Sequence, residues 1–351
     1  MNALTLAPRP SGVSSVGILN QENRMNAAQS AVTRSVAKSI LLGTPILMFT
    51  TFAVAMQSGG NVPGQSHAVE VQMRNVMYHF TDNIAVHIRS LSGRLLPIRG
   101  ELPVFDDKGS FNIQITSAAI AISPESLANV LNSYVFARRD APLKNISIRI
   151  DSSGHLKVKG KLHSKGDVPF ETDGTLSTTA EGKILLHAEK IKAMHLPVKG
   201  LMELLGIDLA DLIKTGKVHG IEVQKDDLVL DPEKLLPPPH VVGRVTAVQI
   251  RAGQIVQVFG EASKTPAWRL PAANYMAYRQ NQLRFGKLTM NDTDLVLIDM
   301  DPQDPFDFYL DHYKEQLVAG YTKETPSFGL RVYMRDYNKL HAAESNSISN
   351  H

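Results

Sequence analysis

The feature that most constrains this chain is paired alternation. Ile146, Ile148 and Ile150 are separated by polar residues, and Leu156, Val158 and Leu162 answer them across Asp151-Ser152-Ser153-Gly154. Successive side chains of a strand point to opposite faces, so a period of two marks a strand with one face buried and one wet. A glycine closing the polar link supplies the positive φ that tight hairpins need. The arrangement recurs. Ile221 and Val223 face Leu228 and Leu230 across Gln224–Asp227, and Val245, Val248 and Ile250 face Ile255 and Val258 across Arg251-Ala252-Gly253. Further alternating runs hold Val69, Val71 and Met73; Ile84, Val86 and Ile88; Phe111, Ile113 and Ile115; Val168 and Phe170; and Ile184, Leu186 and Ala188.

Two stretches change the period to that of a helix. In Ser123–Phe136, Ser123 suits the N-cap and Pro124 the first helical position. Leu127, Val130, Leu131, Tyr134 and Val135 then fall on one stripe. A second helix is expected over 197–214, with Leu201, Leu204, Leu205, Leu209, Leu212 and Ile213 on one side. Strands in hairpins, without regular strand–helix–strand alternation, predict an α+β fold rather than a doubly wound α/β one. The helices are the natural cover for the strands' apolar face.

Past residue 265 the pattern weakens. Trp268–Arg279 reads as loop, and Leu283–Ile298 as one or two strands. Asp307–Val318 reads as a helix bearing Phe308, Leu310, Tyr313 and Leu317. Leu330, Val332 and Met334 make a last strand.

Composition bounds the chemistry. With 43% hydrophobic and 20% charged residues in 351, most of the chain should fold. There is no cysteine, hence no disulfide, no thiolate metal site and no lipid-modified N-terminal cysteine. The net charge of +3 resides in residues 1–55, which hold four basic residues and one acidic; the remainder has 33 of each. A neutral body argues against nucleic acid as a partner, because that binding rests on phosphate neutralisation.

Ile40–Ala55 is uncharged and follows Arg34 and Lys38; it reads as an export signal or a membrane anchor with the N-terminus in the cytoplasm. Ala53-Val54-Ala55 fits a cleavage site, and Met25-Asn26-Ala27 repeats the opening Met1-Asn2-Ala3, so a start at Met25 would give a leader of conventional length. The expected organisation is a disordered leader (1–39), the hydrophobic segment (40–56), a linker (57–67), a main domain (68–265), a C-terminal extension packing on it (266–340) and a disordered tail (341–351).

No phosphate-cradling loop and no nucleophile elbow is present. The 12 histidines are scattered, and none has the partner four residues away that a helical zinc site needs. No catalytic residue, metal site or cofactor is assigned. The densest acidic run contains Asp292, Asp294, Asp299, Asp301, Asp304, Asp307 and Asp311. It could hold calcium through hard oxygen ligands, but it does not follow the EF-hand spacing. The plainer expectation places Asp292 and Asp294 in a turn, with Asp304 and Asp307 capping a helix. Asn145-Ile146-Ser147 and Asn291-Asp292-Thr293 match glycosylation acceptors, relevant only on a eukaryotic secretory route.

In LDPEKLLPPPHVVG, Leu230–Gly243, Asp231 caps and Pro232 starts a single turn whose Leu235 and Leu236 plug inward. Pro237-Pro238-Pro239 can neither continue the helix nor donate to a ladder, so they force an extended crossing, read as a corner closing one end of a sheet.

The succession SPESLANVLNSYVF, ISIRIDSSGHLKVKGKL, VPFETDGTLS, AEKIKAMHLPV, GLMELLGIDLADLI, GIEVQKDDLVLDPEKLLPPP and VGRVTAVQIRAGQIVQVFG, over about 112–260, resembles the LmeA-like family of exported lipid-binding proteins. It resembles more distantly the tubular lipid-binding and AsmA-like groups. The resemblance implies a strongly curved antiparallel sheet wrapped around amphipathic helices, with an apolar groove for acyl chains and no catalytic residues. It stops near residue 265. The lipid-lining residues expected from it are Leu127, Val130, Leu131, Tyr134, Leu201, Leu204, Leu205, Leu209, Leu212, Leu235 and Leu236. Each buried methylene of a tail contributes about 0.8 kcal/mol, so such a groove needs few specific contacts. The implied function is non-enzymatic binding or transfer of lipid outside the cytoplasmic membrane, with lipid or a membrane surface as partner. Two other readings stand beside it: an anchored interaction module with a solid core, and a metal-dependent hydrolase using residues 292–311.

Overall fold

Val69–Thr81 (β1) is 13 residues of extended chain and the strand on which the largest sheet is assembled. The computed structural model describes residues 67–98, 102–163, 167–193, 196–197, 218, 220–224, 227–261, 268, 270 and 272–340. All belong to one compact unit. The hydrophobic segment at 40–55, the expected helix over 197–214 apart from Pro197, and the tail lie outside them.

β1 pairs antiparallel with Ile84–Pro97 (β2), and β2 with Phe111–Ile122 (β3). The inward set of β1 is Val69, Val71 and Met73, then Val76, Tyr78 and Phe80. The phase slips by one at Asn75, whose φ is +51°, a conformation asparagine tolerates. The facing set on β2 slips too, from Leu95 and Leu91 to Ile88, Val86 and Ile84. Each strand carries one extra residue, so their mutual register is unbroken through the slip.

The same point divides the other edge of β1. Glu70–Arg74 pair antiparallel with Tyr275–Arg279 (β14), and Val76–His79 pair parallel with Phe306–Tyr309 (β18). Beyond β14 come Asp294–Asp299 (β17), Leu330–Met334 (β20) and Tyr321–Glu324 (β19). On the far side, β3 pairs with Gln254–Gly260 (β13), and β13 with Val245–Arg251 (β12). Val241–Val242 (β11) joins β3 in parallel, and β17–β20 is parallel as well, so this 11-stranded sheet is mixed, not purely antiparallel.

A second sheet has the order β4-β5-β6-β7-β10-β9: Leu143–Ile150, Leu156–His163, Asp167–Thr178, Ile184–Ala193, Asp227–Leu230 and Ile221–Gln224, with Leu196–Pro197 (β8) on β7. Leu283–Phe285 (β15) and Leu288–Met290 (β16) form a small ribbon. The α-helices among the described residues are short: Pro124–Val130 (α1), Pro232–Leu235 (α2), Tyr313–Val318 (α3) and a turn at 337–340. Strands dominate, and the class is broadly α+β.

Three sequence expectations need correction. Residues 266–340 do not form a separate packing layer, because β14, β17, β20, β19 and β18 hydrogen-bond into the sheet of β1. Trp268–Arg279 is not all loop. β14 hid its strand character because Tyr275, Met276, Ala277 and Tyr278 are all buried. Met276 and Tyr278 face the main core, while Tyr275 and Ala277 lie under Trp268, Leu270 and Ala272. A strand covered on both faces loses alternation. Lastly, Asp307–Val318 is a strand followed by a helix. Phe306 and Phe308, both fully buried, alternate along β1, and the helix starts only at Tyr313.

Gln316 joins these pieces. It is fully buried; its Oε1 accepts from the Tyr309 N–H at 3.0 Å, and its Nε2 donates to the Asp307 and Arg335 carbonyls at 2.8 Å each. An isosteric apolar side chain would leave three buried backbone groups unpaired. Gln316→Leu should therefore cost on the order of 3 kcal/mol, read as a lower urea midpoint with unchanged m-value.

Candidate functional site

α1 enters the structure as its sequence dictates. The Ser123 hydroxyl accepts from the Ser126 N–H at 3.0 Å, and Pro124 occupies the first turn. After Val130 the chain widens into a π-helical turn, Leu131–Val135, closed by Phe136 N–H to Leu131 C=O at 2.7 Å. Asn132 on that turn bonds both backbone groups of Ile146: its Oδ1 accepts at 2.8 Å and its Nδ2 donates at 2.7 Å. The expected 14-residue helix is thus an α-helical half and a π-helical half, fastened to β4 through one amide.

Two cavities lie beside this helix. The first, about 60 Å³, is walled by both sheets, including Ile88, Ile120 and Phe259 from the larger and Ile184 from the smaller. The second, about 70 Å³, lies over the inner face of the smaller sheet, among residues such as Ile148, Val158 and Phe170. Leu127, Leu176 and Leu230 belong to both walls, so the volumes are neighbours separated by these leucines. Apart from the Tyr78 hydroxyl, Gln257 is the one polar side chain in the first lining, and Thr172 is the one in the second. Such walls offer dispersion contact and desolvation and hold no reacting group.

The structure brings part of the expected lining together. Leu127 faces both cavities, Val130 the first and Leu131 the second; Leu235 and Leu236 line the first. Tyr134 does not join them: it is 38% exposed, and Phe136, buried at 4%, lines the second cavity instead. The π turn shifts the stripe, which explains the exchange. Leu201, Leu204, Leu205, Leu209 and Leu212 lie outside the described residues. The sheet residues of the wall were missed, although their alternation was visible; which strand faces which cannot be read from one strand's period.

The LDPEKLL segment is a bridge rather than a corner. Asp231 Oδ1 accepts from the Glu233 N–H at 3.2 Å, and Glu233 Oε1 from the Gly243 N–H at 3.0 Å. The chain leaves β10 of the smaller sheet, makes α2, and arrives as β11 on the larger.

The aspartate run does not converge. Asp294 pairs with Arg331 at 3.0 Å and Asp311 with Lys108 at 2.8 Å. Asp299 turns inward to Asn274, and burial raises its pKa. Asp301, Asp304 and Asp336 share the Lys339 ammonium at 3.9, 3.0 and 2.8 Å, so a cation of the chain's own already sits among them. Asp304 and Asp307 do not cap α3, whose N-cap is His312. Among the described residues, no three His, Asp or Glu side chains form a metal-holding group.

One histidine cluster has the look of an acid–base pair. His79 Nε2 and Asp307 Oδ1 are 2.7 Å apart, and the His79 ring stacks on Tyr309 at 3.7 Å. Among the described residues, neither is bonded to a serine or threonine hydroxyl, so no nucleophile accompanies the pair. Tyr337 stacks next to Tyr309 and then against His312.

Comparison with protein-family models, with curated proteins and with solved structures finds no match.

His312 sits between Glu315 at 2.9 Å and Asp82 at 3.3 Å, and these carboxylates raise its pKa, with the Glu315 hydrogen bond first. A raised folded-state pKa adds stability that is complete below the ordinary histidine value and lost as pH rises through the folded value. Denaturation midpoints should therefore fall as pH rises from the ordinary histidine value through the raised one, and His312→Gln should flatten that fall.

Proposed function

We propose that this chain is an exported, non-enzymatic lipid-binding protein that holds acyl chain between its two sheets, beside α1. In this reading the sheets curve around α1 in the manner of the LmeA-like and tubular lipid-binding families. Residues 40–55 direct the body to the outer side of the cytoplasmic membrane, cleaved or retained as an anchor. The observation that carries it is the pair of adjoining cavities whose walls are apolar but for Tyr78, Gln257 and Thr172. A tail methylene moved from water into such walls contributes about 0.8 kcal/mol and requires no polar partner.

The volumes also set a condition. At about 60 and 70 Å³ each is smaller than the roughly 150 Å³ apolar cavity that admits benzene. An acyl chain therefore enters by displacing the shared partition of Leu127, Leu176 and Leu230. The same small volumes favour the second reading, a membrane-anchored interaction module with a filled core.

Native mass spectrometry of protein purified from lipid-rich cells separates the two. Lipid binding gives a phospholipid-sized mass adduct that organic solvent extracts, and Leu127→Trp, which blocks the partition, should reduce its occupancy at least several-fold. Only bare polypeptide mass would select the filled-core reading.

A further inference from the structure

The solvent face of the smaller sheet carries an ordered excess of cations. Register aligns Arg149, Lys157, Asp173 and Lys190 in one cross-strand row over β4, β5, β6 and β7. The next row is Ser147, Lys159, Glu171 and Lys192, and Lys144 lies opposite Lys161 in a third. Their neighbours along the strands, such as Ile148, Val158 and Phe170, point into the second cavity, so this face is the outer one.

Three of the lysines are matched: Lys157 with Asp173 at 3.6 Å, Lys159 with Glu171 at 3.1 Å and Lys161 with Asp167 at 3.9 Å. Among the described residues, Lys144, Arg149, Lys190 and Lys192 make no ion pair, and Glu189 is exposed at the β6–β7 bulge; farther along the same face Asp227 pairs with His187 at 2.6 Å and Glu222 with Lys183 at 3.9 Å. Over β4–β7, seven cations thus stand against four anions, in a body whose basic and acidic residues are equal in number overall. Arg149, Lys190 and Lys192 are all exposed.

We propose that this face docks the protein on an anionic phospholipid surface. Lysine and arginine near such a surface are attracted by its negative potential, while the interleaved carboxylates suit an interface that also bears ammonium headgroups. A polyanion of uniform sign, such as nucleic acid, would meet Asp173 and Glu171 between the cation columns of β5 and β7, which disfavours it. The face lies on the opposite side of the sheet from the second cavity, so docking and lipid occupancy can fail separately.

The absence of cysteine allows a direct test on the full chain. Ser147→Cys places a single environment-sensitive fluorophore within the face, and Ser327→Cys places one in the β19–β20 turn as a control for tethering by residues 40–55. With phosphatidylglycerol-containing vesicles the label at 147 should shift and the label at 327 should not. The shift should be absent with pure phosphatidylcholine and reversed by high salt. Replacing Arg149, Lys190 and Lys192 together by serine should weaken the response on the order of 100-fold, at about fivefold per charge; exchanging Lys and Arg at the three positions should preserve it. Equal shifts on both vesicle types, survival of the shift in the serine variant, or an equal shift with duplex DNA alone would overturn the proposal.

Discussion

The larger sheet depends on one amide. Asn75 sits where β1 changes both its inward phase and its partner. Its Nδ2 donates to Asn274 Oδ1 at 2.8 Å, and its Oδ1 accepts from His87 Nε2 at 2.9 Å. Asn274, 1% exposed, passes the chain on to Asp299 Oδ2 at 2.7 Å and to the Asp304 carbonyl. Asp299 Oδ1 in turn accepts from the Asp301 N–H at 2.7 Å. A buried polar network is worth having only when its members are satisfied, and here each link also fixes a piece of backbone. It joins β2, β1, the approach to β14 and the turn after β17. Without it, β14 and β18 would have no fixed point at which to share one strand edge.

That sharing divides the molecule into two kinds of interior. On the β14–β18 side the core is aromatic: Phe105 packs edge-on against Tyr278, Phe285 and Tyr313, and Phe306 and Phe308 are fully buried. Around α1 the core is aliphatic and incompletely filled. Aromatic rings held edge to face are stiff, whereas leucines change rotamer at low cost. The contrast places rigidity where the sheet changes partners and compliance where a guest would enter.

The sequence made three hairpins legible, two in the smaller sheet and one in the larger. Residues 146–162, 221–230 and 245–258 each paired as their alternation indicated, because half-buried strands with short polar links state their own partners. It was much less informative for β14 and β18. The all-buried Tyr275–Tyr278 has no period to read, and Phe306–Leu310 fits a strand and a helix equally until β1 supplies an edge. The candidate lining was legible on α1 and at Leu235 and Leu236, where a stripe or a proline break marks the inward side. Its sheet half was not, since two strands with the same period can face one another or face apart. Nor could Tyr134 be separated from Phe136, because the π turn that exchanges them depends on the Asn132–Ile146 pairing, a contact 14 residues apart.

That pairing has a wider consequence. β4 is the end strand of its sheet, and an end strand presents free N–H and C=O groups to which any extended segment can add. Asn132 takes both groups of Ile146 in the middle of β4, acting as a one-residue counterfeit of a neighbouring strand. A second copy of the chain aligning along β4 would meet a side chain where it needs two backbone bonds. The amide that fastens the π turn is therefore also a guard against aggregation.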